Sequence, residues 1–524
     1  VLKFWRNPEF VRHIRSELRP ARAITVALVV LLLCALIGLG CWSERQSMLA
    51  IAERNAGQYG GPWIEYAKHM REHTAQHTWM LIAQWMFGLQ AGLIGFWSLM
   101  MCAQSVSGER DRKTWDFQRT TSLTSTELAI GKVLGEPVVA YFAALCALPF
   151  TVIAGLGAGF TVWHVLNALT GIFASALFFG VCGLWMSIMV EHRSRSVALL
   201  GALMVFGLAL GTYGLTMSWF PGLAAFDPFV NLYRVLQLSF AYHGYVAPRL
   251  FGHAVPWLVM SLLLYASVGA WLWAMIVRNL KRDYEEIRLL SRWQAVGCAA
   301  FLNFVLYALF TSPDVLVKSD VLASFVVGLN GAILFVIGLA SLTPPERLKV
   351  WWRERAEGRG GIFSADGLPW PWLVLSAAVA YGLMVWGLLA WRFALDFHSS
   401  SLRTAGLQLV VVLVFVTRDI LFIQWCTLTR LRQPVMKGIL FLCLYYASAG
   451  VVVALCSISG ESTSMAALNI LTPTGVFQTQ YGWGNYSGGL YGGLALQAGV
   501  IAVILVAISH RLGRPSLVRV VSEG

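Results

Sequence analysis

The chain has 524 residues, of which 57% are hydrophobic, 13% aromatic and only 12% charged, a charged fraction about half the roughly 25% usual in soluble domains. With a mean hydropathy of +0.66, this composition argues against a soluble enzyme and against a disordered chain. The excess of 39 Lys and Arg over 26 Asp and Glu would mark a nucleic-acid surface on a soluble protein. In a chain made of apolar runs it reports membrane sidedness instead, and no nucleic-acid partner is expected.

The opening stretch sets Phe10, Val11, Ile14 and Leu18 against Arg12, Arg15, Arg19 and Arg22, which predicts one amphipathic helix lying in the interface. Its guanidinium groups would meet lipid headgroups; the plainer reading is a positive-inside anchor. The first apolar run has no small-residue cleavage site and follows a basic segment, so it reads as a retained span rather than a removable signal.

Apolar runs of spanning length occupy roughly 23–42, 79–104, 135–158, 162–190, 197–220, 253–277, 293–311, 319–342, 371–394, 404–428, 436–458 and 488–510, and a bilayer requires them to be helices. With the first end placed in the cytoplasm, the loops on that side collect 29 Lys and Arg and the opposite loops nine. The expected fold is therefore all-α and polytopic, with about twelve spans and both ends cytoplasmic. Nine cysteines fall in spans or at their edges without CxxC spacing, and read as packing residues.

In the first outer loop, Glu65, His69, His73 and His77 recur every fourth residue. A continuous helix would align them, as metal ligands or as a solvated face; spacing alone favours the solvated face, and no metal is assigned. Between the second and third runs, Thr124 and Glu127 fit a capping box that restarts a helix. Upstream, a short charged helix would expose the rings of Trp115 and Phe117, either as a protein contact or as an interfacial aromatic belt.

The same order of features occurs twice. Gly108-Glu109-Arg110 and Pro345-Glu346-Arg347 are displaced by 237 residues; Trp185, followed by Arg193 and Arg195, stands 240 before Trp425, followed by Arg430 and Arg432; and Pro228 of Asp227-Pro228-Phe229 stands 245 before Pro473 of Leu471-Thr472-Pro473. A duplication would give two six-helix halves, 1–292 and 293–524, in parallel orientation. Arg418 and Asp419 lie inside an apolar run, where each unpaired charge costs about 2.5–3.5 kcal/mol. As neighbours they point about 100° apart on a helix, so they are not expected to form one simple pair; other helices or a wet cavity should satisfy them, on a translocation path or as a polar lock between bundles. The glycine and aromatic residues of 481–489 read as an interfacial re-entrant turn.

In Glu109-Arg110-Asp111, Thr114, Leu123, Glu127 and Gly131-Lys132 the chain resembles the permease subunits of type 2 ATP-binding cassette (ABC) exporters. Asn7-Pro8-Glu9-Phe10 with Arg12 and Arg15 looks like that family's elbow helix. Lys113 stands where the family prefers Gly, and Ser122 where it prefers Pro. The resemblance implies that Glu109 to Leu123, including Trp115, is a coupling segment that docks on a separate cytoplasmic ATPase. No GxxxxGK[ST] run occurs, so no cofactor is expected in this chain, and ATP and Mg would be bound by the partner. Glu346 and Arg347 would mark a second, divergent coupling segment.

The reading that follows is a permease without bond chemistry of its own, multi-pass in a cell membrane of the bacterial inner-membrane kind, moving an unidentified substrate. The rivals are a polytopic enzyme using Glu65, His69, Glu72, His73 and His77 on lipid-linked or acyl substrates, and a membrane scaffold for an ATPase. A neighbouring coding sequence with a phosphate-binding motif favours the permease; sealed-vesicle transport assays separate it from the scaffold.

Overall fold

The computed structural model describes residues 7–120, 122–189, 223–229, 232, 248–251, 253–282, 291–309, 319–359, 361–390, 399–429, 431, 434–459, 471–472 and 487–513. Apart from one hairpin of two-residue strands, β1 (Arg249–Leu250) and β2 (His253–Ala254), the regular structure described is helical. Eleven of the twelve predicted runs coincide with a helix; the run 197–220 lies outside the described residues, as do Arg193, Arg195, Arg430, Arg432, Pro473 and residues 481–486. Among the described residues, seven helices are long and apolar enough to cross a membrane, and an eighth span is counted if one bent pair is taken together. The chain divides into two compact units, Val1–Ile287 and Arg288–Gly524.

The first unit begins with α1 (Pro8–Glu17), capped at Asn7, whose side chain accepts from the Glu9 and Phe10 amides. The single basic helix expected from Phe10 to Arg22 is broken here: α1 closes at Leu18 and Pro20 opens α2 (Pro20–Tyr59), so Arg19 caps the next helix instead of extending the first. Pro20 fits there because the first helical position needs no amide donor. At about 1.5 Å per residue, the 40 residues of α2 reach about 60 Å, twice the ~30 Å hydrocarbon core. No breaker occurs until Gly60 and Gly61, both at positive φ, and the chain then turns back as α3 (Pro62–Glu72) against the far end of α2.

Next come α4 (Thr74–Ala91), a π-helical turn at Gly92–Phe96, α5 (Trp97–Asp111), α6 (Trp115–Arg119), α7 (Ser125–Gly135), α8 (Val138–Gly157), α9 (Val162–Met189) and α10 (Trp257–Asn279). The tightest seam joins α5 to α9. A Cβ on Gly183 would fall 2.3 Å from the Leu99 carbonyl oxygen, so glycine is what lets the two backbones meet, as small residues do between membrane helices. A core of Ala83, Phe87, Ala91, Ile94, Ala154, Ala168, Ile172 and Ala176 fills one level of the bundle. Another, around Cys102, Val106, Trp115, Leu128, Leu184 and Ile276, lies under α6. Leu28 and Leu32 on α2 are exposed, as lipid-facing residues are when the bilayer is the solvent.

The second unit contains α11 (Arg292–Leu309), α12 (Ser319–Ala340), α13 (Pro345–Ala356), α14 (Trp370–Ala390), α15 (Ser399–Thr427), α16 (Pro434–Ser459) and α17 (Ser487–Gly513). Its closest seam joins α12 to α15, where a Cβ on Gly338 would lie 2.5 Å from Ile420. Pro344 and Pro345 end the passage, and the axis turns by 87° from Val327–Ala340 into α13. Leu348 and Trp351 of α13 bury against Leu368, Leu421, Ile508 and Leu512.

Candidate functional site

The segment between α5 and α7 is fixed from both ends. α5 closes with the Thr114 amide donating to Glu109 O and the Lys113 amide to Arg110 O, each at 3.0 Å. This Schellman-type cap puts Lys113 at φ 59, a left-handed position that glycine fills at least cost. At the other end the capping box forms as the sequence predicts: Thr124 Oγ1 accepts from the Glu127 amide, and Glu127 Oε2 accepts from the Thr124 amide at 2.9 Å. The Thr124 amide and hydroxyl hold the Glu127 carboxyl below its usual range.

Between these caps lies a buried ion cluster. Lys132, with no exposed surface, donates through Nζ to Glu109 Oε2 at 2.7 Å and to Ser105 Oγ at 3.2 Å, and lies 3.8 Å from Glu9 Oε1. Glu109 Oε1 accepts from Gln118 Nε2 at 2.5 Å and from Arg12 Nη2 at 3.4 Å. Arg12 also donates to Glu9 at 2.6 Å, and His13 Nε2 sits 3.3 Å from Glu9 and 3.8 Å from Glu136. Burial acts to raise the Glu9 carboxyl, but the His13 hydrogen bond, Lys132 and Arg12 together hold it down at about 2. The α1–α7 contact that brings these groups together depends on two glycines. A Cβ on Gly131 would lie 2.6 Å from Glu9 Cβ, and one on Gly135 2.9 Å from His13 Cδ2. Asn7 Nδ2 ties α1 to Glu127 O at 2.7 Å.

The aromatic pair divides. Phe117 is 78% exposed, whereas Trp115 is only 5% exposed, seated under the cations of Lys132 (5.5 Å) and Arg110 (6.0 Å). The expectation of two exposed rings therefore holds for Phe117 alone, because Trp115 starts α6 facing the core. Arg110 is buried and donates to Ile188 O at 3.2 Å, and Ser187 Oγ accepts from the Val106 and Ser107 amides at 2.9 Å. Asp111, Arg112, Lys113, Thr114, Asp116 and Phe117 form the exposed tip, with Leu123 half-buried behind it. Arg12, Arg15 and Arg19 are all exposed, and Arg12 also reaches the Glu9 and Glu109 carboxylates. Spacing gave no sign that Asn7, Glu9, His13 and Ser187 would converge here, since they join Glu109, Lys132 or their neighbours across long stretches of chain, while Gln118 reaches Glu109 across only the nine residues of the turn between α5 and α6.

In the second unit Glu346 is exposed and Arg347 half-buried on α13. Below them the Thr343 amide donates to Gln424 Oε1 at 2.9 Å. That bond repeats the one from Val106 to Ser187, and both its donor and its acceptor are displaced by the same 237 residues. Trp185 and Trp425 pack against the cluster under each segment. No match to the Lys132 cluster is seen among the described residues; Arg292 instead donates to Thr343 Oγ1 (2.7 Å), Gly367 O (2.9 Å) and Ala365 O (3.3 Å).

Arg418 and Asp419 do pair with each other, correcting the expectation that neighbours pointing apart cannot. The long arginine side chain folds back so that Nε and Nη2 both reach Asp419 Oδ1, at 2.8 and 2.6 Å. Other helices complete the set, as the cost of an intramembrane charge requires: Tyr445, Tyr446 and Gln497 accept from Arg418, and Tyr446 donates to Asp419 Oδ2. The histidine column is not one helix, because α3 ends at Glu72 and α4 starts at Thr74. Among the described residues no three His, Cys, Asp or Glu side chains are placed to share a metal ion.

Residues 13–268, just under half of the chain, match the family model described as "ABC-2 family transporter protein". No curated protein and no solved structure matches the chain significantly.

Proposed function

Residues 13–268 belong to the ABC-2 transporter family, and from that premise we propose that this membrane-spanning subunit is an exporter permease driven by a separate ATPase, which docks on the α5–α6 tip. The observation that carries the reading is the contrast within that tip. Phe117 and its charged neighbours project from the surface, while Trp115, Glu109 and Lys132 are locked into the bundle. An exposed aromatic ringed by charges suits a protein contact. A buried, ion-paired cluster beneath it suits a rigid transmitter, because packed elements shift between discrete arrangements rather than deform smoothly.

In this mechanism, closure of the ATPase on its nucleotide pushes α6. Gln118 and Trp115 pass the displacement to Glu109 and Lys132, and Lys132 carries it to α7 and, through Glu9 and Arg12, to α1. The bundle then exchanges between inward-open and outward-open packings. The repeated bond at Val106 and Thr343 supports a duplicated, twelve-helix chain with halves 1–292 and 293–524, in which Glu346 and Arg347 occupy the weaker, second docking position. ATP and Mg belong to the partner.

Co-purification and ATPase stimulation in proteoliposomes test this. F117A is expected to insert normally while losing at least tenfold in ATPase recruitment; recruitment and stimulation equal to wild type in F117A would reject docking at this tip.

A further inference from the structure

In the half of α2 remote from α1, Arg45 is only 9% exposed, yet no ion pair neutralises it among the described residues. Its Nη2 donates to the Met70 sulfur at 2.9 Å, a weak acceptor, and its Nε has no partner. Eight residues further along α2, the Glu53 carboxylate is engaged by Arg71. A guanidinium buried without a counter-ion is costly, and the cost is recovered when an anion supplies one. Alongside run the three histidines, with ring centroids 4.6 Å apart between His69 and His73 and 6.4 Å apart between His73 and His77. Arg45 lies within Coulombic reach of His77. A fixed cation beside the column repels a metal ion and attracts an anion, and the imidazole N–H groups supply further donors.

We propose that Arg45, His69, His73 and His77 form a binding site for an oxyanion of the phosphate class. Arg45 supplies the fixed charge and the planar donor fork that such groups accept. His69 and His73 are exposed and form the mouth, and His77 is half-buried behind them. Arg45 stands three residues beyond the apolar run that ends at 42, about 4.5 Å along the axis. Exposed Trp42, Trp63 and Trp79 lie on the same hairpin region, as aromatic residues do at headgroup level. A lipid headgroup and a free phosphate therefore present the same chemistry to the site.

The test uses the full-length chain. Its thermal midpoint is followed in neutral detergent against inorganic phosphate, with chloride at matched ionic strength, and in phosphatidylcholine nanodiscs with and without phosphatidylglycerol. Wild type is expected to show a saturable rise that R45Q weakens at least tenfold in half-saturating concentration. If R45Q does not fold, the exposed-residue double variant H69N/H73N carries the test, with an expected weakening of at least threefold. A rise with inorganic phosphate identifies a free anion as sufficient; a rise only with phosphatidylglycerol identifies the headgroup. No saturable rise with either probe, or the same half-saturation in wild type and variant, overturns the site.

Discussion

Lys132 shows how far a side chain's setting departs from its place in a motif. It is fully buried, and its charge is tolerated because Glu109, Ser105 and Glu9 surround the ammonium. Removing one partner of such a pair typically costs about 3–5 kcal/mol, since the other charge stays buried and uncompensated. E109Q is therefore expected to lower thermal stability markedly, measured as a drop in the unfolding midpoint, whereas F117A leaves it unchanged; equal midpoints for both would deny the cluster its structural role. Glu9 adds a pH dependence. Its folded carboxyl sits at about 2 against 4.5 for an unperturbed group, so its contribution is complete above about pH 4.5 and is lost as the pH falls toward 2. The wild-type midpoint should drop over that window, and E9Q should flatten the drop. The sequence pointed to Glu109, Trp115 and Lys132 through their motif, but not to which of them face inward. That depends largely on partners far away along the chain, Glu109 and Glu9 lying 23 and 123 residues from Lys132, which no local period encodes.

At the scale of elements, local chemistry was legible wherever caps and breakers wrote it. The Thr124 and Glu127 box, the α6 turn and most spans appear where expected. Three features escaped. Pro20 divides the basic stretch into two helices, His73 separates α3 from α4, and α2 runs on well past the hydrocarbon boundary because nothing breaks it before Gly60. Lys113 was visible only as a departure from a glycine preference, and the left-handed cap explains that preference. A side chain in this conformation costs about 1–2 kcal/mol relative to glycine, partly offset by the extra freedom glycine has when unfolded. K113G should therefore raise stability by up to about 1 kcal/mol, seen as a higher unfolding midpoint; a lower midpoint would contradict the strain.

At the scale of the molecule, hydropathy and the distribution of basic residues gave a polytopic helical chain, and two compact units divide it. The proposed repeat rests on three loose matches at 237 to 245 residues in the sequence, and the paired bonds Val106–Ser187 and Thr343–Gln424 recur at one of those spacings. Polar chemistry differs between the units: the first places a buried pair, Glu109 and Lys132, beneath the α6 tip, and the second places one, Arg418 and Asp419, within a span. In the proposed mechanism the α6 tip is where an external ATPase pushes. The most direct measurement places a photo-crosslinking amino acid at Phe117 in membranes containing the co-expressed ATPase. A strong crosslink to the ATPase is expected, in parallel with the loss of coupling in F117A; crosslinks to lipid alone, or labelling of this position from the outer face, would rule out docking there.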